Sequence, residues 1–260
     1  MTAPFVYFEA EPPEDLAGVV LAFWGFDVRA GATSAHTVWP DASLSLTWGL
    51  HEGRTTVLVA LGARTEPLTV PVRPGEAYRG IRFRPDAPAM LFGLDARRTR
   101  GCRLAPDALG SFGERVVAAA RQAPDRSEII AILADALRPC LPTAGAPDPL
   151  VRQAIALLDT APERTVQSLA HELGVSERQL RRRFGDATGL SPKEYARIRR
   201  LRLAVGRVVE SEHPRWSELA ARAGFADQAH LSNEVARMTA HTPTRLEQRL
   251  RMIEHVDVKP

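Results

Sequence analysis

The chain has 260 residues, 45% of them hydrophobic and 25% charged, which is ordinary globular composition and enough length for two domains. The formal net charge is only +3, but it is uneven: residues 148–260 hold 19 Lys and Arg against 15 Asp and Glu, a net of +4, and the remainder is −1. Cys102 and Cys140 are the only cysteines and have no C-x-x-C spacing, which argues against a zinc site or a disulfide framework. No basic segment followed by an apolar run opens the chain, and no apolar stretch reaches transmembrane length, so the expectation is a soluble, cytoplasmic protein without a membrane partner.

Residues 1 to about 85 read as short strands separated by turns. Phe5–Phe8 and Leu21–Val28 are apolar-aromatic runs. Leu44–Trp48 alternates strictly, placing Leu44, Leu46 and Trp48 on one face. Val57–Leu61 and Leu68–Val72 follow. Tyr78–Phe83 alternates again, with Ile81 and Phe83 inward and Arg82 outward. Turn signals at Arg29-Ala30-Gly31, Glu52-Gly53 and Pro74-Gly75 divide the runs, and the whole predicts a small β-barrel or sandwich. Asp41, after Pro40, reads as a turn former, and His36 and His51 as isolated surface or hydrogen-bond-satisfied residues rather than ligands. A helical connector follows: Asp86–Leu94 as a short helix, then Phe112–Gln122 and Ser127–Leu137 with helical spacing. The stretch Leu137–Pro149 holds four prolines and predicts an extended linker.

From Pro149 the pattern is helical throughout. Leu150–Leu158 forms a first helix. Thr165 is an N-cap before Val166, Leu169, Ala170 and Leu173, and Gly174 ends that second helix. Ser176 and Gln179 make a capping box that opens a third, whose Leu180 and Phe184 face inward while Arg178, Arg181 and Arg182 share the opposite face. Ser191-Pro192-Lys193-Glu194 is another capping box, opening a long helix to about Glu210 whose Arg197, Arg199, Arg200, Arg202 and Arg207 read as mostly exposed. Thr242-Pro243 caps a last helix running to about Ile253.

The helix-turn-helix then repeats. Ser176, Leu180, Phe184, Gly189, Ser191 and Pro192 map at constant offset onto Asp227, Leu231, Val235, Ala240, Thr242 and Pro243. Leu169-Ala170 and Gly174 map one residue closer, onto Leu219-Ala220 and Gly224, so the second unit has one extra residue in its turn. A repeated unit of this kind is far harder to produce by accident than one copy.

With both copies in view, LAHELGVSERQLRRRFGDATGLSP (Leu169–Pro192) and LAARAGFADQAHLSNEVARMTAHTP (Leu219–Pro243) resemble the tandem helix-turn-helix domain of AraC/XylS-type transcription regulators. The second stretch carries the family's A-x-x-A-G-F, D-Q-x-H-L and T-P elements, and the resemblance covers roughly the last hundred residues. It departs at Val235, where the family usually has Phe, at Ala240, where it usually has Gly, and at Asn233, which replaces a frequent Arg. The stretch FWGF…VWPDASLSLTWGL…GIRFRP resembles the N-terminal sensory or dimerisation domain of one AraC-like subgroup.

The resemblance implies an α+β protein: an N-terminal β-barrel or sandwich with helical connector over 1–140, a linker at 141–148, and an all-α DNA-binding domain over 149–260. It implies double-stranded DNA as partner, with helices 176–184 and 227–238 in major grooves. It also implies an effector or homodimer role for the first domain, and RNA polymerase as a partner where the output is activation. The candidate DNA-reading residues are Arg178, Arg181 and Arg182 on the first recognition helix and Gln228, His230, Ser232 and Asn233 on the second; Arg suits guanine and Gln or Asn suits adenine. Arg183 is turned to the flank, toward phosphate or solvent. Trp24, Trp39 and Trp48 are candidates to line an apolar effector pocket, or else they form core. Two other readings are compatible with these residues: an N-terminal domain that is only scaffold, and a small-molecule-binding or enzymatic β-domain tethered to DNA. No catalytic residues, metal or cofactor are expected, because nucleophile–base motifs, metal clusters and phosphate loops are missing from the sequence.

Overall fold

In a computed structural model, residues 3–122, 124–211 and 214–257 are described. The chain begins with β1 (Phe5–Ala10), β2 (Val20–Val28), β3 (Ala35–Val38), β4 (Ser45–His51), β5 (Arg54–Leu61), β6 (Leu68–Pro71) and β7 (Ala77–Phe83). Helices α1 (Ala87–Phe92) and α2 (Ala96–Thr99), strand β8 (Arg103–Leu104), and helices α3 (Gly110–Ala120) and α4 (Ile129–Leu137) follow. The helical half holds α5 (Pro149–Thr160), α6 (Val166–Glu172), α7 (Glu177–Thr188), α8 (Pro192–Glu210), α9 (Trp216–Arg222), α10 (Gln228–Thr239) and α11 (Pro243–Leu250), and ends on strand β9 (Ile253–Asp257).

The expected barrel or sandwich takes the form of a seven-stranded sheet in the order β8-β5-β4-β7-β2-β1-β9, with a separate two-stranded sheet of β3 and β6. Alternation puts Phe23, Leu46, Trp48, Ile81 and Phe83 on one face, where they pack against Phe112, Val116, Ile129, Leu133 and Leu137 of α3 and α4. All of these are at most 1% exposed. Burying each such side chain stabilises the fold by roughly 1.5–3 kcal/mol. The two-stranded sheet covers one end of the other face, over Phe5, Phe26, Val28 and Tyr78.

Arg82 corrects the sequence reading. It does lie opposite Ile81 and Phe83, but that face is covered, and the residue is 8% exposed. Its guanidinium donates to Glu9 Oε1 at 2.7 Å and lies 2.9 Å from Asp41 Oδ2. Asp41 is therefore more than a turn former, and it also accepts from Arg202 of α8 at 2.8 Å. His36 is a packed residue, its ring 4.4 Å from that of Phe26 and 5.7 Å from that of Phe5. Burial, aided by Arg249, pushes its pKa down to about 4. The unfolded chain binds this proton near pH 6.5, so His36 stabilises the fold above that pH and the stability is lost as pH falls toward 4. The drop in melting temperature between pH 6.5 and 4 should be smaller for His36→Gln than for the parent; an equal drop would remove His36 as the cause.

Two further expectations change. The Pro-rich stretch opens with 3-10 turns over Arg138–Thr143, and Cys140 within them is buried, so this part is packed rather than extended. The last helix stops at Leu250, and Ile253–Asp257 instead runs parallel to β1, pairing Ile253 with Phe5 and His255 with Tyr7. The helical half thus closes onto the edge of the sheet. Its core is its own, from Val151 to Leu250, with Ala42, Ala63 and Trp39 added from the β half.

Candidate nucleic-acid interface

The Thr165 hydroxyl accepts from Ser168 N at 3.0 Å and starts α6. The helix ends at Leu173, and Gly174 turns the chain at φ 64°. Val175 N then donates back to Ala170 O at 3.0 Å, which fixes the angle between the two helices. Ser176 accepts from Gln179 N at 3.2 Å; this is one half of the expected capping box, whereas Ser191 and Glu194 at the start of α8 make both halves.

Leu180 and Phe184 of α7 are fully buried, and Phe184 meets Tyr195 edge-on at 5.6 Å. Arg178, Arg181 and Arg182 are exposed together on the opposite side. Arg181 donates to Glu177 one turn back at 2.5 Å, an exposed pair that is weak and readily exchanged. Arg183, expected to meet phosphate or solvent, is committed elsewhere. Its Nε donates to Asp148 Oδ2 at 2.7 Å and its Nη2 to Oδ1, and Asp148 caps α5.

The second unit repeats this construction. Phe225 N donates to Ala220 O at 2.9 Å, and Asp227 caps α10 by accepting from His230 N at 2.7 Å. Leu231 and Val235 are fully buried. A further correspondence went unread in the sequence: Thr188 and Thr239 each donate to the carbonyl four residues back (2.8 and 2.7 Å) and accept the N–H two residues on (3.2 Å both). They close the two recognition helices alike. The following residue is left-handed in both, Gly189 at φ 74° and Ala240 at φ 60°. Ala240 pays the steric cost that Gly avoids, so Ala240→Gly should stabilise the protein by about 1 kcal/mol in chemical denaturation. A loss of stability would show that this turn does not bear the strain assigned to it.

Gln228, His230 and Asn233 are exposed and Ser232 is half-buried. The Ser232 hydroxyl donates to Gln228 O at 2.8 Å, and the His230 ring stands edge-on to Phe225 at 5.4 Å. The arginines of α8 are less free than expected. Arg197 holds Glu234 of α10 through two bonds (2.9 and 3.2 Å), Arg199 pairs with Asp159 at 2.7 Å, and Arg200 donates to Gly224 O at 3.1 Å while stacking on Phe225. They fix the second unit against the first.

The three tryptophans are not brought together. Trp48 lies in the core between sheet and helices, with Nε1 donating to Thr55 Oγ1 at 3.0 Å. Trp24 lies on the other face over Gly80, and Trp39 packs against the helical half. A single pocket lined by all three is excluded by this placement, which corrects the expectation. Arg97 and Arg100 join the site without a helix-turn-helix motif of their own to mark them in the sequence. Arg97 Nε donates to Asp186 Oδ1 of α7 at 2.8 Å, and Arg100 Nη2 to Glu194 Oε1 of α8 at 2.6 Å. The available signal was four arginines within Arg97–Arg103, inside the half of the chain with net negative charge.

Residues 169–249 match a family model described as a helix-turn-helix domain, and residues 8–105 match one described as a domain of unknown function (DUF6597). No curated protein matches the chain. Among solved structures, the C-terminal domain of the response regulator AraT from Geobacillus stearothermophilus is similar at 24% identity, over 39% of this chain and 86% of that one, with a TM-score of 0.38. An AraC-type transcriptional regulator from Chromobacterium violaceum is similar at 24% identity, over 39% and 92%, with a TM-score of 0.36. ToxT from Vibrio cholerae is similar at 10% identity, over 85% and 99%, with a TM-score of 0.44. Among the described residues, no helix is long and apolar enough to cross a membrane.

Proposed function

We propose that this chain, whose C-terminal half is a tandem helix-turn-helix domain of the AraC/XylS type and which is a DNA-binding transcription regulator, reads its operator chiefly through α7 in one major groove, with α10 in a second. The observation that carries this reading is the two-sidedness of α7. Leu180 and Phe184 are fully buried on one side, while Arg178, Arg181 and Arg182 are exposed on the other. Arg in that position meets guanine O6 and N7 with a matching pair of donors. We assign DNA binding to 149–260, a junction to 141–148, and effector sensing or dimerisation to 1–140. RNA polymerase is a partner if the output is activation.

The test is selection of binding sites from a random duplex pool by the purified full chain, followed by titration of the recovered site. Two contacted segments one helical turn apart support a pair of grooves. A protein that recovers no preferred sequence refutes base reading.

A further inference from the structure

Building on the reading of α7 as a groove-entering helix, we propose that the N-terminal half contributes directly to the DNA interface, with Arg97 of α2 as a contact to the sugar-phosphate backbone. The placement follows from the register of α7. Arg178, Arg182 and Gly185 lie at i, i+4 and i+7, which is one stripe of the helix. Arg97 lies on that stripe: its Nη2 donates to Arg182 O at 3.1 Å, and a Cβ on Gly185 would fall 2.3 Å from it. Gly185 is about 10 Å along the axis from Arg178. The major groove is about 12 Å wide. With Arg178 and Arg182 at the base edges, the guanidinium of Arg97 therefore stands at the groove wall, where the phosphates are.

The backbone of α2 is held there. Gly189, left-handed at φ 74°, would clash through a Cβ with Ala96 O at 2.3 Å, so this close approach needs glycine. The Arg100–Glu194 pair fixes the other end of the segment. Arg97, Arg100, Arg181 and Arg182 line a common cleft with Gly185, Ser191 and Glu194. The acids facing this cluster are Asp186 on Arg97, Glu194 on Arg100 and Glu177 on Arg181. Asp186 at the groove wall would repel phosphate, and Arg97 cancels it. The Arg97 side chain remains about half exposed, so the charge is available to a second anion.

The test uses the full chain with two probes, the duplex recovered by selection and a mixed-sequence duplex, each titrated across a salt series. Arg97→Ala is expected to weaken both duplexes by the same factor and to reduce the slope of log affinity against log salt by about 0.9, the value for one phosphate. Arg97→Lys keeps the charge and loses the fork, so it should retain the slope even if it loosens the α2–α7 contact. Asp186→Asn should strengthen both duplexes and steepen the slope. Thermal melts check that each variant is folded. An unchanged slope in Arg97→Ala, tighter binding by it, or no effect of Asp186→Asn would overturn the contact. If the parent protein binds neither duplex, the DNA reading itself falls. If the parent binds and only the Arg97 arm fails, α7 keeps its role and α2 loses this one.

Discussion

Replacing Arg178 and Arg181 together by Ala will cost the selected operator more affinity than replacing Gln228 and Asn233 together. The loss for the arginine pair is roughly 2–6 kcal/mol, since each good bidentate base contact is worth about 1–3 kcal/mol. The structure gives the asymmetry a cause. On α7, Arg178, Arg181 and Arg182 fall within about 100° of the helix circumference, so all three face one groove floor. The equivalent positions of α10 are Ala229, Ser232 and Asn233. Ala has nothing to offer a base edge, and the Ser232 hydroxyl donates inside its own helix. Gln228 and Asn233 stand about 140° apart, so one groove floor receives at most one of them squarely. The start of the second unit is also less well made: Thr165 caps α6 through its side chain, whereas Arg215 makes no such bond at α9. Matched titrations of the two double variants on the same operator decide the matter. If Gln228→Ala with Asn233→Ala is the more damaging, α10 is the dominant reader.

The parts of the fold that were legible in the sequence are those set by neighbours in the chain. Thr165, Ser176, Ser191, Asp227 and Thr242 each accept the backbone N–H three residues on, because a cap depends only on local spacing. The alternation in Ser45–His51 and Ala77–Phe83 likewise sorted Trp48, Ile81 and Phe83 to one face. What was not legible depends on distant partners. Alternation put Arg82 on the far face but could not say that Glu9, Asp41 and the helical half cover it. The prolines of 138–143 were compatible with 3-10 turns as well as with extended chain, and burial of Cys140 selected the former. Strand β9 follows a helix by two residues and exists because β1 offers it an edge. The site shows the same division. The face of Arg178, Arg181 and Arg182 followed from helical period, whereas the approach of Arg97 to Gly185 needed the packing of two domains.

Arg182 and Arg183 are neighbours of one type, and their Ala variants should differ in kind. A step of one residue turns the side chain by about 100°. That step carries Arg182 to the exposed stripe and Arg183 to Asp148, where two hydrogen bonds hold it. Asp148 is also the N-cap of α5, accepting from Leu150 N at 3.0 Å and Val151 N at 3.4 Å. Burial tends to raise the Asp148 carboxyl, but Arg183 and the two capping N–H groups outweigh it and hold the pKa below the usual carboxylate range. Arg183 thereby ties the recognition helix to the first helix of the domain. Arg182→Ala should leave the melting temperature nearly unchanged, cost about 1–3 kcal/mol on the best operator and relax the preference at one base pair. Arg183→Ala should lower the melting temperature and leave the order of preference among operator variants intact. Asp148→Asn weakens the same pair from its other side, so its effect on melting should not add to that of Arg183→Ala in a double-mutant cycle. Affinities for the operator and its point variants, together with melts of the parent, the three single variants and the Arg183–Asp148 double variant, separate the two roles. If Arg182→Ala weakens every sequence equally, the exposed stripe of α7 does not read bases. If the Arg183 and Asp148 effects add in full, the pair does not couple the two helices.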